Sequence, residues 1–128
     1  MRLLLDTHTL LWFALGDQRC SVIVRQMIED PANEKWISPA SHWELAIKIG
    51  LGKYTLPGPF EDFIKAAVEG NGFSTLLIQP KHTGMLIQLP QHHRDPFDRL
   101  LIVQAIVESM TIVSADEAFD AYPVKRVW

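Results

Sequence analysis

Short apolar runs alternate along this chain with longer stretches whose apolar residues recur at helical spacing. Arg2–Leu5 reads as a strand that stops at Asp6. Thr9 is placed to cap a short helix over residues 10–15, closed by Gly16-Asp17. Ser21 begins a second helical pattern with Val22, Ile23, Met27 and Ile28 on one side, ending near Asp30-Pro31. Residues 35–37 are strand-like. Ser38-Pro39 is a helix start, Ser as N-cap and Pro at the first helical position. That helix carries Trp43, Ala46, Ile47 and Ile49 and stops at Gly50 or Gly52. An amphipathic helix is predicted over 59–69, through Phe60, Phe63, Ile64 and Ala67, and Gly70-Asn71-Gly72 ends it. Residues 74–78 read as a strand and 80–88 as a short helix. A loop at 89–96 holds His92, His93 and Arg94, and Asp95-Pro96 opens the longest apolar helix, to Val107 or Ser109. Thr111–Val113 is a strand, 116–121 a short helix and 124–127 a last strand.

Short apolar strands alternating with helices define an α/β chain with a mainly parallel sheet. Right-handed crossovers put helices on both faces of such a sheet. Ligands then bind outside the carboxyl ends of the strands.

Composition narrows this further. The 128 residues are 48% hydrophobic and 21% charged, enough apolar material for one core, with no repeat or linker. One domain over 1–128 is expected. The single cysteine, Cys20, excludes an intrachain disulfide and a multi-cysteine zinc site, which favours a reducing cytoplasm. The apolar run at 10–15 is far short of the roughly 20 residues that span a bilayer, so no membrane association is expected. Asp6 cuts off the first apolar run before a signal-peptide core can form. Twelve basic against fifteen acidic residues leave a net charge of −3, which argues against non-specific polyanion binding. A local basic rim or a metal ion can still reverse the field at one site.

The acids fall in a pattern. Asp6 stands where the first strand stops, and Asp116 lies just past the strand Thr111–Val113. Glu44 is about a turn and a half into the helix after the second strand, and Asp98 is in the first turn of the helix opened by Asp95-Pro96. Each has an ordinary structural explanation. Asp6 can close a turn, Glu44 can pair with Lys48 four residues on, Asp95 can cap a helix, and Asp98 suits a helix N-terminus. Either Ser114 or Asp116 can cap the last short helix. Their shared location at one sheet edge is what points to chemistry. Clustered carboxylates repel unless a cation joins them, and hard divalent ions such as Mg²⁺ or Mn²⁺ take oxygen ligands of this kind. Other candidates are weaker. Gly50-x-Gly52-Lys53 lacks phosphate-loop spacing, His92-His93 reads as polarity near a phosphate, and Trp12, Trp36 and Trp43 read as core.

Taken in order, four segments resemble the motifs of the PIN-domain family. They are Leu4-Leu5-Asp6-Thr7-His8-Thr9-Leu10-Leu11-Trp12, then Ser38-x-x-Ser41-x-Trp43-Glu44-x-x-x-Lys48 followed by Gly52-Lys53. The third is His93-Arg94-Asp95-Pro96-Phe97-Asp98-Arg99-Leu100-Leu101, similar to toxin-like bacterial members, and the fourth is Ser114-x-Asp116-x-x-Phe119-x-x-Tyr122. The fourth motif commonly has Thr where this chain has Ser114, which keeps the hydroxyl.

The resemblance implies a three-layer α/β/α sandwich and a VapC-type toxin of a type II toxin–antitoxin pair. Such a protein is a Mg²⁺- or Mn²⁺-dependent endoribonuclease, a homodimer, inhibited by a small antitoxin. By the same resemblance Asp6, Glu44, Asp98 and Asp116 form the catalytic quartet. Asp6, Asp98 and Asp116 are its metal ligands, and Glu44 is at the rim. Thr7 and Ser114 are supporting hydroxyls, and Asp95 is an auxiliary acid of open role. Lys48, Lys53, His93, Arg94 and Arg99 are expected to guide RNA to the acidic centre. A housekeeping RNA-processing nuclease without an antitoxin and a non-catalytic RNA-binding domain of the same fold stand as alternatives.

Overall fold

The computed structural model describes residues 1–128. Five strands make one sheet: β1 (Arg2–Leu5), β2 (Glu34–Ile37), β3 (Ser74–Thr75), β4 (Thr111–Val113) and β5 (Lys125–Val127). Their order is β3-β2-β1-β4-β5, and every neighbouring pair is parallel. The chain leaves central β1 toward one edge and returns on its other side through β4. The order therefore switches between β1 and β4, the position at which sheets of this kind bind ligands outside the strands' carboxyl ends.

The period of two along β1 sends Leu3 and Leu5 to one face and Leu4 to the other. Leu3, Leu5 and Val113 pack with Leu10, Phe13, Val24, Ile28 and Ala67, from α1 (Thr7–Leu15), α2 (Val22–Glu29) and α4 (Phe60–Val68). Leu4 and Ile112 pack with Leu101, Ile102, Val103 and Ala105 of α6 (Pro96–Glu108). Ala40 of α3 (Pro39–Gly50) joins that side, and Met85 of α5 (Pro80–Met85) lies against it. The result is a three-layer α/β/α sandwich. No helix is long and apolar enough to cross a membrane.

Several elements differ from the sequence reading. The cap of α1 is Asp6, three residues ahead of Thr9, and Thr9 instead supplies the backbone N–H that Asp6 accepts at 2.8 Å. On α2 the buried pair is Val24 and Ile28, while Val22 and Ile23 are 71% and 66% exposed. Helix α3 turns its polar side inward. Ser41, Glu44 and Leu45 are buried, whereas Trp43, which the sequence pattern placed in the core, is 58% exposed and stands edge-on to Phe97. The strand predicted over 74–78 is paired only at Ser74–Thr75, and α5 ends at Met85, short of residue 88. The helix predicted over 59–69 is α4 with Pro59 as its N-cap, and the 116–121 helix is a 3₁₀ turn over Glu117–Ala121.

Candidate active site

Asp6 is fixed by the two elements it joins. Its backbone N–H extends the ladder to Val113 O (3.2 Å), and its side chain caps α1. Oδ1 accepts from the Thr9 N–H, and Oδ2 accepts from Ser114 Oγ at 2.5 Å. Burial raises the Asp6 carboxyl above its ordinary range even though the Ser114 and Thr9 bonds favour the charged form. Ser114 directly follows β4, and its Oγ also accepts the Asp116 N–H at 3.0 Å. One hydroxyl thus ties Asp6 to the segment carrying Asp116. Asp116 caps the 3₁₀ turn through the Ala118 N–H (2.9 Å), and its side chain is half exposed.

Glu44 is not at a rim: it is 4% exposed, on the inward side of α3. Thr7 Oγ1 donates to Glu44 Oε1 at 2.5 Å, and Lys48 Nζ lies 2.9 Å from Oε2. A carboxylate can be buried here because both oxygens have partners, one of them charged. Burial alone would lower the Lys48 ammonium, but Glu44 more than offsets it and holds its pKa above the ordinary value. Lys48, expected to guide RNA, places its charge on Glu44.

Asp95 and Asp98 share the N-terminus of α6. Asp95 Oδ1 accepts from the N–H groups of Phe97 (2.8 Å) and Asp98 (3.1 Å), with Pro96 at the first helical position. Asp98 has no such partner. Burial, then the charges of Asp95, Glu44, Asp6 and Asp116, push its carboxyl up to about 8. Those causes define the site: Asp95, Glu44, Asp6 and Asp116 all stand near enough for their charges to act on Asp98.

His93, expected to guide RNA, stands among the acids. Its Nε2 is 3.0 Å from Asp98 Oδ2 and 3.8 Å from Asp116 Oδ2, and ligand atoms of these three residues lie within 4.8 Å of one another. Arg99 corrects the sequence reading outright. It is 8% exposed, and its guanidinium donates to the carbonyls of Leu89 (3.2 Å), Pro90 (2.8 Å) and His93 (3.4 Å). An arginine spent on buried carbonyls cannot contact RNA. Tyr122 completes the clasp: its hydroxyl accepts from the His93 N–H (2.7 Å) and donates to Pro90 O (2.9 Å). Lys53 and Arg94 are exposed. The His8 Nε2–Tyr54 hydroxyl pair, 2.9 Å apart, had no sequence signal, since Tyr54 lies outside every motif.

The acids thus gather where the strand order reverses, the place at which parallel α/β sheets bind their ligands. The sequence profile of the PIN domain matches residues 3–125, and the chain belongs to that family. Among curated proteins no sequence matches it. Solved structures share the fold at low identity. VapBC2 from Rickettsia felis, bound to a DNA fragment from its promoter, has a TM-score of 0.74 at 17% identity, covering 100% of this chain and 99% of that one. VapBC-1 from nontypeable Haemophilus influenzae gives 0.68 at 17%, covering 99% and 97%. FitAB bound to an IR36 DNA fragment gives 0.65 at 17%, covering 98% and 93%.

Proposed function

We propose that this chain is a single-domain, metal-dependent endoribonuclease, the toxin of a type II toxin–antitoxin pair, acting in the cytoplasm on RNA phosphodiester bonds. The observation that carries the reading is the gathering of acids at one sheet edge: ligand atoms of Asp98, Asp116 and His93 lie within 4.8 Å of one another, and Ser114 Oγ ties Asp6 to the segment carrying Asp116. Burial and then the neighbouring acids push the Asp98 carboxyl up to about 8, as in a site short of positive charge. The donor set is oxygen-rich, which suits Mg²⁺ or Mn²⁺. Asp6, Asp98 and Asp116 are the residues that would hold the ion, with Glu44 kept close by Thr7 and Lys48.

When bound, such an ion makes water more acidic and neutralises charge gathering on the scissile phosphate. The rest is done by this chain. Ser114 and the Thr9 N–H hold Asp6 in one orientation, and the cap made by Asp95 sets the turn that presents Asp98. Exposed Lys53 and Arg94 steer the RNA backbone across an otherwise acidic surface. The likeness to VapBC2, VapBC-1 and FitAB favours an antitoxin partner; the acidic cluster suits an antitoxin arginine, bidentate to a carboxylate. Exposed Trp43, Ile47 and Leu51, spaced four apart on α3 and its C-cap, offer an apolar face for a second copy.

The test is cleavage of a fluorescent single-stranded RNA by the free protein with Mn²⁺, with EDTA, and with the product of the adjacent reading frame. Cleavage should need the ion and stop in the complex. Cleavage unaffected by EDTA contradicts the metal reading, and an equally active complex contradicts the toxin–antitoxin reading.

A further inference from the structure

We infer that His93 is a positioning residue for the acidic centre: an imidazole whose Nε2–H faces Asp98 and Asp116 together and helps hold the two carboxylates for a divalent ion. This rests on the metal-dependent reading above. It assigns His93 a place beside the ligands, neither among them nor on the RNA.

A neighbouring backbone group fixes the tautomer of His93. The Asp95 backbone N–H donates to His93 Nδ1 at 3.2 Å. An Nδ1 that accepts carries no proton, so the ring's hydrogen is on Nε2. Nε2 then has no lone pair for an ion, although it lies within reach of two carboxylates. It is a donor, buried from solvent, 3.0 Å from Asp98 Oδ2 and 3.8 Å from Asp116 Oδ2, yet off the direction of a good hydrogen bond to either. A buried N–H that faces two acids at once attracts both charges without being bonded to either.

The second part is how firmly the imidazole is held. Every polar group of His93 besides Nε2 has a partner: Tyr122 takes its N–H, Arg99 reaches its carbonyl, and Asp95 fills Nδ1. Its ring leans on buried Phe119, with centroids 6.1 Å apart. Arg99 and Tyr122 also bind each other at 3.3 Å and share Pro90 O. A buried arginine and a tyrosine are thus committed to one surface loop, and the loop's inward product is Nε2–H. Groups that orient ligands from behind typically change metal affinity 10–100-fold when removed.

Two substitutions separate the roles. His93→Asn keeps an acceptor where Nδ1 was and removes the distal donor, whereas His93→Gln places an amide N–H near Nε2. Mn²⁺ titration by calorimetry should show affinity 10–100-fold weaker in His93→Asn and within about threefold of wild type in His93→Gln. Metal-free melting temperatures of all three should agree within a few degrees. Electron spin-echo spectra of the wild type with Mn²⁺ should show no directly bonded nitrogen. Equal affinity in wild type and His93→Asn overturns the inference, and so does equal weakening in both variants. Strong ¹⁴N coupling overturns it too, by making His93 a ligand. A wild type that takes up no Mn²⁺ overturns the metal reading itself, and this inference with it.

Discussion

Asp95 accepts the backbone N–H of Asp98 at 3.1 Å and is also the foremost charge, after burial itself, that drives the Asp98 carboxyl upward. One residue therefore builds the helix turn that presents Asp98 and makes that turn costly to ionise. The two effects belong to different parts of Asp95, since capping needs only an oxygen acceptor, whereas repulsion needs the charge. Asp95→Asn should leave metal-free stability unchanged or higher, because Asn caps as well as Asp, and it should lower the Asp98 pKa. Asp95→Ala should lose about 1 kcal/mol with the cap. Urea melts and the ¹³C carboxyl titration of Asp98 check both outcomes.

Stability should depend on pH through Asp98 in a defined direction. Its folded pKa of about 8 stands above the ordinary 3.8, so between these values the folded protein keeps a proton the unfolded chain has released. The contribution is full below about pH 4 and is lost as pH rises through about 8, with a slope of at most about 1.4 kcal/mol per pH unit. Asp98→Asn removes the titration. The stability difference between variant and wild type, measured in EDTA from pH 5 to 8, should grow steadily in the variant's favour. A flat difference would mean that Asp98 is not crowded by its neighbours.

The clasp on the 89–94 loop should be structural in its energetics. Tyr122→Phe leaves the His93 N–H without a partner, while Pro90 O keeps Arg99, and should cost about 1–3 kcal/mol. Arg99→Leu strips buried carbonyls of their donor and should cost at least as much. RNA affinity in Ca²⁺ at low temperature, where the folded state is kept, should change far less than it does for Lys53→Glu. A large loss of RNA affinity in Arg99→Leu without loss of stability would return Arg99 to the substrate.

Much of the architecture was legible because strand and helix periods differ and because turn residues separate them. Arg2–Leu5 and Thr111–Val113 are short apolar runs of two-sided burial, and the acids that end or follow them had to meet at one sheet edge. Helix α3 was misread for a physical reason. Apolar spacing normally marks the buried side, yet here Ser41 and Glu44 are needed inward at the site, and Trp43 and Ile47 are left outside. Arg99 was misread because a cation beside acids suggests substrate guidance. Its partners are backbone carbonyls, which leave no trace in a sequence. The same holds for His93, whose tautomer is set by a backbone N–H.

The exposed face of α3 should matter only for assembly. Ile47→Glu places a charge in the apolar stripe formed with Trp43 and Leu51, and should convert a dimer to a monomer in sedimentation while leaving the melt of the monomer almost unaltered. A wild type that sediments as a monomer at micromolar concentration would remove this face from the account.

The central claim is that the gathered carboxylates serve a divalent ion that acts on RNA, and Asp98→Asn tests it most directly. The variant keeps the shape of the side chain and removes the group that must take up a proton on folding. Its melting temperature in EDTA at neutral pH should therefore equal or exceed that of the wild type, which has to protonate Asp98 to bury it beside Asp95, Glu44, Asp6 and Asp116. With Mn²⁺ added, the wild-type melt should rise while the variant's stays in place, and RNA cleavage by the variant should fall at least about a hundredfold. A variant that cleaves RNA at the wild-type rate, with an equal upward shift on adding Mn²⁺, would contradict the account.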